Sequence, residues 1–219
     1  VISGGHTAMF RCDSPTKLTK LGGTIDDAVG EAYDKAAAIL GLGHPGGPTI
    51  DRLAQEIDAN DRAVELPVSR LGKESLDFSF SGLKTALLYE VRGVPGPGGV
   101  FERTNAALTP ERKRDLAASF QRVASKAIVL KMERAIEAMD EKPRAIIVGG
   151  GVSANSRIRR ELGELAEKHG LKLVLPEMRY CVDNAAMIAG LGHSRLAMGE
   201  KDDLTLRASP SMSPTMSGC

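Results

Sequence analysis

Apolar residues that recur every three or four positions predict several amphipathic helices. This spacing follows Thr24 and again follows Pro110, and it buries one face of a helix. We expect the first helix to end at Gly41 and the second to run to about Met139, with Thr109 as its N-cap, because proline favours the first helical turn. Further helices are predicted over 49–58, 83–91, 155–168 and 184–198, and a rigid loop over 45–48.

Shorter segments with two other patterns predict strands. Alternating apolar and polar residues, as over 76–80, are typical of a strand with one buried face, whereas the continuous apolar run over 145–148 is typical of a strand buried on both faces. A glycine turn, a helix and another strand follow that run, which predicts a parallel sheet with a right-handed crossover and an α/β fold. The predicted strands cover 1–2, 8–11, 18–21, 76–80, 145–148 and 171–175, the first two flanking a tight glycine turn.

Composition and charge argue against several classes of protein. The 219 residues are 42% apolar and 26% charged, as in ordinary globular proteins. The 29 basic residues against 28 acidic ones give a net charge of +1, which argues against a protein that holds nucleic acid by bulk charge. Neither a run of about 18 apolar residues nor a signal peptide is recognisable, and the three cysteines lack CxxC spacing. We therefore expect a cytoplasmic protein in a reducing compartment, with no membrane partner.

The two ends of the chain differ in character. The first residue is Val1 rather than Met and lies inside an apolar segment, so we expect the chain to be a fragment. After Lys201 the apolar periodicity stops and Ser, Pro, Met and Thr dominate, which predicts a disordered tail over 200–219. The folded part is expected to cover 1–199.

Two glycine-rich turns are candidate ligand sites. In Ser3–Thr7, paired glycines allow backbone N–H groups to approach an anion and two hydroxyls could assist, but a plain hairpin turn explains the pattern equally well. Gly149–Asn155 lies between a buried strand and a helix, where open α/β sheets bind ligands. Its three glycines favour ligand binding over a merely structural turn, although the pattern fits neither a P-loop nor a dinucleotide-binding fingerprint.

Acidic residues form two further candidates. Asp183 precedes the last predicted helix and could cap it or ligate a hard metal ion, and the spacing alone favours the cap. Asp26, Asp27, Glu31 and Asp34 would share an acidic face of the first long helix. The simplest interpretation is a charged face exposed to solvent. The alternative is that Asp34 contacts a polar ligand.

Six motifs of the chain occur in the same order in one known family. They are Ser3–Thr7, Thr24–Ala28 with Gly30–Lys35, Pro45–Pro48, Asp77–Thr85, Gly149–Asn155 and Cys181–Asn184. On these motifs the chain resembles the TsaD family of tRNA N6-adenosine threonylcarbamoyltransferases, in the form found in bacteria and mitochondria. The resemblance covers nearly all of 1–199.

The resemblance implies a fold and a set of site residues. The family has a two-lobe fold of the actin/Hsp70 (ASKHA) type around a nucleotide cleft, and this chain resembles the second, C-terminal lobe, with the first lobe missing. Asp183 is implied as a metal ligand and as the catalytic residue, since a metal ion there would polarise the transferred carbonyl. The residues implied to contact the adenylate are Val1, Ile2, Ser3, Gly4, Gly5, Asp34, Gly47 and Asn155.

The resemblance also implies a reaction and partners. Family members transfer the threonylcarbamoyl group from threonylcarbamoyl-AMP to N6 of adenosine 37 in tRNAs that read codons starting with A. They work with a TsaB-like paralogue and a TsaE-like ATPase, or as a homodimer in the mitochondrial type. The implied cofactor is one divalent metal ion, Fe²⁺ or Zn²⁺, whose other ligands are a histidine pair in a segment upstream of Ser3–Thr7. We therefore expect this chain alone to be inactive, because one carboxylate cannot complete such a site.

Two other functions stay open at this stage. A nucleotide phosphotransferase of the same superfold, such as a sugar or acetate kinase, would share the glycine turns but would lack the Asp77–Thr85 motif. The chain could also be a non-catalytic lobe that only binds a nucleotide or a partner. A histidine pair encoded upstream would separate this last function from the transferase.

Overall fold

The computed structural model describes residues 1–101, 108–205 and 207. The tail predicted over 200–219 lies outside these residues, apart from 200–205 and 207, which contain no helix or strand. Within the described residues the chain is a mixed α/β structure with two small sheets and six α-helices, as one lobe of the implied fold requires.

The two sheets have opposite strand directions. β1 (Ala8–Ser14) and β2 (Lys17–Gly23) form an antiparallel hairpin. β3 (Ala145–Ile147) pairs in parallel with β4 (Lys172–Val174), which confirms the parallel pair predicted from the glycine turn and helix between them. The hairpin predicted around Ser3–Thr7 is confirmed as a short one: Ile2 and Thr7 form an antiparallel bridge, and the Ala8 N–H donates to the Val1 carbonyl at 3.0 Å.

Helices supply most of the structure, and local signals place several of their ends correctly. Gly41 ends the first helix in the left-handed conformation, and the Thr109 hydroxyl accepts a hydrogen bond from the Arg112 N–H at 3.2 Å as the N-cap of the longest helix. The helices are α1 (Val29–Leu40), α2 (Gly46–Ala54), α3 (Ser81–Arg92), α4 (Pro110–Glu137), α5 (Ser156–Lys168) and α6 (Ala185–Ala197).

Two predictions about irregular segments are wrong. The segment 45–48 is not a rigid loop, because Gly46 begins α2, and Pro48 is accommodated in the first turn, where its missing N–H has no helical partner to lose. The segment 76–80 is not a strand: only Phe78 forms a bridge, in parallel with Thr24. The Asp77 carboxylate instead accepts a hydrogen bond from the Gly23 N–H at 3.0 Å, so tertiary contacts hold this segment.

The core lies where α1 packs against α2, α3 and α4, and α5 covers the other side of α4. Tyr33 of α1 and Phe120 of α4 meet edge to face at its centre, with ring centroids 5.2 Å apart. Both rings are fully buried. This contact brings together the helices that carry the polar groups of the candidate site.

α6 contrasts with this core, because none of its residues is buried. Its exposed apolar side chains include Met187, Ile188 and Leu191, and Ile188 is 74% exposed. An exposed apolar face of this kind is typical of a surface that packs against another part of a protein or against a partner. No helix in the described part of the chain is both long enough and apolar enough to cross a membrane.

Candidate functional site

The two glycine turns lie against each other. The Ile2 N–H donates to the Gly149 carbonyl at 2.8 Å, and the Val152 N–H donates to the Ile2 carbonyl at 3.1 Å. Gly150 adopts a φ of 98°, and a Cβ atom there would lie only 2.4 Å from the Ile2 carbonyl oxygen. The close approach of the two turns therefore depends on a glycine at 150.

The contact between the turns leaves backbone N–H groups free on both sides. Within the described residues, the amides of Gly4, Gly5, Gly149 and Gly150 have no hydrogen-bond acceptor in the protein. Space around Gly4, Gly5 and Gly149 is open, since a Cβ atom at any of them would have no neighbour within 4 Å. Free amides at adjacent turns are suited to bind a phosphate or another anion.

The hydroxyl groups of the first turn are used inside the protein. The Ser3 Oγ accepts a hydrogen bond from the His6 N–H at 3.1 Å, within its own turn. Thr7 is buried, and its Oγ1 accepts from the Val29 N–H at 2.8 Å at the start of α1. The structure therefore favours the backbone, rather than these two hydroxyls, as the ligand-binding part of the turn.

Asp34 and Gly47 come together where α1 meets the start of α2. The Asp34 Oδ1 accepts a hydrogen bond from the Gly46 N–H at 2.8 Å and lies 3.6 Å from the His44 Nδ1. Its side chain is 38% exposed, so a second partner can still reach the carboxylate. Gly47 has open space around it. The two residues thus form one exposed polar corner.

Asn155 is buried and engaged within the protein. Its Oδ1 accepts from the Ile158 N–H at 3.0 Å, which makes Asn155 the N-cap of α5. Its Nδ2 donates to the Gln121 Oε1 at 2.9 Å and lies 3.5 Å from the Tyr33 hydroxyl. Ser153, two residues earlier, has a buried hydroxyl with no hydrogen-bond partner among the described residues. Asn155 therefore fixes the end of the glycine turn through hydrogen bonds inside the protein.

Two residues that sequence reasoning missed complete this buried network. Asp51 of α2 accepts hydrogen bonds from the Ser156 N–H at 3.1 Å and the Ser156 Oγ at 2.6 Å, at the N-terminus of α5. Gln121 of α4 donates to the same carboxylate at 3.0 Å. A polar Gln121 within the apolar stripe of α4 was the available signal, because a buried polar side chain needs partners.

Burial changes the titration of the one phenol in this network. Removal from solvent raises the pKa of Tyr33 far above its ordinary value, and the nearby Asp51 carboxylate adds to the effect. Tyr33 is therefore a neutral hydrogen-bonding group at any physiological pH. The network ties α1, α2, α4 and α5 to the second glycine turn.

Arg159 links that turn to the Cys181–Asn184 motif. Its guanidinium donates to the Ser153 carbonyl at 2.6 Å, to the Pro176 carbonyl at 2.9 Å and to the buried Cys181 Sγ at 3.3 Å. Sequence reasoning missed this residue as well. The contacts place the start of the last motif beside the end of the second turn.

Asp183 itself is exposed and does not cap α6. The N-cap position belongs to Asn184, whose side chain makes no capping hydrogen bond, so the capping interpretation of Asp183 is wrong. Among the described residues, Asp183 belongs to no group of three side chains that could hold a metal ion. The residues present do not fit a complete metal site at this position.

The Thr24–Ala28 motif holds the Asp77–Thr85 motif through two carboxylates. Asp26 accepts from the Ser79 Oγ at 2.5 Å, the Phe80 N–H at 2.8 Å and the Ser81 Oγ at 2.8 Å, at the start of α3. Burial alone would raise the pKa of Asp26, but these hydrogen bonds outweigh it and hold the pKa below its ordinary value. The solvated acidic face expected here is therefore wrong for Asp26.

Asp27 joins the same two motifs through ion pairs. Its carboxylate binds Lys35 of α1 at 2.7 Å and Lys84 of α3 through a short contact, and its side chain is only 14% exposed. Burial raises the pKa of Asp27, but the two lysines outweigh that effect, so the pKa lies below its ordinary value. Asp27 thus joins two motifs by charge.

We expect Asp27→Asn to remove part of the acid sensitivity of the fold. Because the folded pKa is lowered, the unfolded chain takes up a proton first as the pH falls, and the stabilisation by Asp27 is lost below about pH 4. The variant should be about 1 kcal/mol less stable than wild type at pH 7, and this difference should shrink as the pH falls below about 4. Urea unfolding across this pH range measures the difference. Asp58→Asn, at an exposed acid, is the control and should change neither value.

Comparison with known protein families identifies the family to which the chain is similar. A sequence model of the family described as "TsaD: tRNA N6-adenosine threonylcarbamoyltransferase" matches residues 1–190. The match includes both glycine turns, Asp34, Asn155 and Asp183.

Curated relatives named tRNA N6-adenosine threonylcarbamoyltransferase match almost the whole chain. The relative from Sorangium cellulosum is 44% identical over 206 residues, which are 93% of this chain and 54% of the relative. The relative from Thermosipho africanus is 41% identical over 212 residues, 97% of this chain and 59% of the relative. The relative from Persephonella marina is 44% identical over 199 residues, 89% and 52% respectively. The chain therefore spans about half the length of the curated relatives it matches.

Proposed function

This chain belongs to the TsaD family of tRNA N6-adenosine threonylcarbamoyltransferases, and from that premise we propose that the protein containing it forms threonylcarbamoyladenosine in tRNA. The proposed reaction transfers the threonylcarbamoyl group from threonylcarbamoyl-AMP to N6 of adenosine 37 in tRNAs that read codons starting with A. The relatives are named as threonylcarbamoyltransferases, which favours this reaction over the phosphotransferase alternative.

The observation that carries the proposal is the apposition of the two glycine turns. Four backbone amides without protein acceptors lie at this junction, on Gly4, Gly5, Gly149 and Gly150. An adenylate carries a phosphate that such amides can bind, and glycine leaves the backbone open to it. The turns are therefore proposed to hold the phosphate of threonylcarbamoyl-AMP.

The exposed corner formed by Asp34 and Gly47 is proposed to bind the nucleoside part of the same ligand. The Asp34 carboxylate keeps accessible surface while the Gly46 N–H fixes its orientation. A carboxylate held in this way accepts hydrogen bonds from sugar hydroxyls, and it lies on the helix that the first turn also contacts through Gly30. Asn155 contributes by holding the second turn in shape.

These contacts position the ligand for acyl transfer. The adenosine N6 attacks the carbamoyl carbon, a C–N bond forms, and the bond from that carbon to the phosphate oxygen breaks, so that AMP leaves with the electron pair and N6 loses a proton. Amides that hold the phosphate also stabilise the charge that develops on AMP as it leaves. Positioning and charge stabilisation are the contributions that this chain's own residues can make.

A divalent metal ion, Fe²⁺ or Zn²⁺, is proposed as the cofactor of the whole protein, with Asp183 as one ligand and as the residue closest to the chemistry. When bound, such an ion supplies Lewis-acid polarisation of the transferred carbonyl. The described residues contribute a single carboxylate to it, so further ligands must come from elsewhere. On the same premise we propose a TsaB-like paralogue and a TsaE-like ATPase, or a second copy of the chain, as partners, and the cytoplasm as the location.

We expect the full-length protein to make threonylcarbamoyladenosine from threonylcarbamoyl-AMP and unmodified tRNA when its partners are supplied. Mass spectrometry of the digested tRNA measures the product. Asp34→Ala should raise the KM for the adenylate about tenfold, the value of one hydrogen bond to a charged group. Glu31→Ala, one turn earlier on α1, is the matched control and should leave KM unchanged.

Two results would contradict this proposal in different ways. If position 37 stays unmodified although the protein is folded and binds AMP, the chain is a nucleotide-binding lobe rather than part of a transferase. If the product forms but Asp34→Ala and Glu31→Ala behave alike, the reaction is right and the assignment of the nucleoside corner is wrong.

A further inference from the structure

Three metal-ligating side chains meet at a place that the proposed reaction does not use. Glu133 and Glu137 lie one turn apart near the end of α4, and His169 directly follows α5. One ligand atom from each lies within 4.8 Å of the other two. This is the one such group of three among the described residues, and it does not include Asp183.

The electrostatics of this place favour a cation. Glu137 is the last residue of α4, and His169 is the C-cap of α5, so the negative ends of two helix dipoles converge there. Two carboxylates near the negative end of a helix repel each other and are repelled by the helix dipole. A nearby positive charge removes this repulsion. The observed neighbour with a permanent positive charge is Lys168, whose Nζ lies 2.5 Å from the Glu133 Oε1.

Lys168 leaves part of the group unsatisfied. The His169 Nε2 is shielded from solvent and has no hydrogen-bond partner among the described residues, although it lies 3.7 Å from the Glu133 Oε1. An imidazole nitrogen that carries no proton offers a lone pair to a metal ion, and an ammonium group bound to Glu133 does not use that lone pair. The 3.7 Å separation is close to the spacing of about 3.3 Å between two ligands of one tetrahedral zinc ion.

The donor set indicates the class of ion. One imidazole and two carboxylates suit Zn²⁺ and its neighbours Co²⁺ and Ni²⁺, whereas Mg²⁺ and Ca²⁺ prefer oxygen ligands alone. Three protein ligands leave a fourth position to water. Two ligands one turn apart on a helix, completed by a third from another element, are a common zinc arrangement.

We propose that Glu133, Glu137 and His169 bind a divalent transition-metal ion of the zinc class, and that this ion ties the end of α4 to the end of α5. Lys168 is 64% exposed and water can solvate its ammonium group, so it competes with the metal rather than completing the site. The site is independent of Asp183 and of the proposed transfer reaction.

The test is a titration of the full chain with Zn²⁺ and with Co²⁺, carried out in an Asp183→Ala background so that the other proposed metal ligand is absent. We expect about one equivalent of metal to bind, with the visible absorption of Co²⁺ in a nitrogen and oxygen site. Glu137→Gln and His169→Ala should each weaken binding at least tenfold. Lys168→Met should strengthen binding several-fold, because it removes the competing charge.

Controls separate this site from general surface binding. Glu164→Gln on α5 and His193→Ala on α6 remove exposed residues of the same types and should leave the affinity unchanged. A rise in the unfolding temperature on adding Zn²⁺, lost in Glu137→Gln, would independently support the link between α4 and α5. The proposal is overturned if no metal binds at micromolar concentration, or if Lys168→Met lowers the affinity. Either result leaves only an ion-pair cluster between the two helices.

Discussion

Gly150→Ala is expected to lower the free energy of unfolding by about 3 kcal/mol. Two causes combine at this residue. Its φ of 98° with ψ of 162° is a conformation that residues with a Cβ atom rarely adopt, and the added Cβ would lie 2.4 Å from the Ile2 carbonyl oxygen. Because that oxygen belongs to backbone, it cannot move aside without breaking the hydrogen bond from the Val152 N–H. The two glycine turns would then separate.

Gly149→Ala is the matched control for this substitution. Gly149 precedes Gly150 in the same turn, but its φ is not positive, and a Cβ atom there would have no neighbour within 4 Å. Urea unfolding should therefore show a loss below about 0.5 kcal/mol for Gly149→Ala. Equal losses in the two variants would mean that the contact between the turns does not depend on residue 150. AMP binding should weaken in Gly150→Ala even under conditions where the variant is folded.

Lys131→Met is expected to destabilise the chain by roughly 2 kcal/mol through loss of two charged hydrogen bonds. Lys131 lies in α4 and is only 1% exposed, and its Nζ donates to the Arg70 carbonyl at 2.7 Å and to the Ser75 carbonyl at 2.6 Å. Methionine keeps the volume of the side chain but leaves both carbonyls with a weaker partner. Arg134 also reaches them, at 3.2 and 3.3 Å, which limits the loss.

Lys126→Met on the same helix is the control, because it makes the same change in helix propensity without removing the hydrogen bonds of Lys131. Lys126 is exposed, so its replacement changes charge and side chain without breaking a buried contact. Chemical unfolding of both variants at neutral pH measures the difference, and limited proteolysis should cut the loop around 70–75 faster in Lys131→Met. Identical stability of the two variants would show that Arg134 alone suffices to hold this loop.

The loop held by Lys131 leads directly into the Asp77–Thr85 motif. From there Asp77 binds the end of β2, and Asp26 and Asp27 bind the start of α3 and its Lys84. The motif therefore keeps its shape through contacts with the end of β2 and with the Thr24–Ala28 motif rather than through a strand of its own.

The sequence by itself determined those elements whose signals are local. A glycine at 41 adopts the left-handed conformation that ends α1, and Thr109 followed by proline begins α4. The apolar run at 145–147 and its partner at 172–174 form the predicted parallel pair, but the predicted burial on both faces is wrong, because Ile147 is 65% exposed. In each case the decisive interaction joins residues within a few positions, or depends on hydrophobic pattern alone. The ordered motifs likewise identified the family before any distance was known.

Only the tertiary structure decided what the polar side chains do. Asn155, implied as a ligand contact, is buried between Tyr33 and Gln121, and the Thr7 hydroxyl serves the start of α1 instead of an anion. Sequence reasoning did not weigh Asp51, although it binds the N-terminus of α5 from 105 residues away. A short polar side chain forms hydrogen bonds with whichever groups the fold brings near it. These groups can lie at any distance along the sequence. Local patterns therefore determined the helices and the turns, whereas the pairing of distant hydrogen-bonding groups determined which residues remain free to bind a ligand.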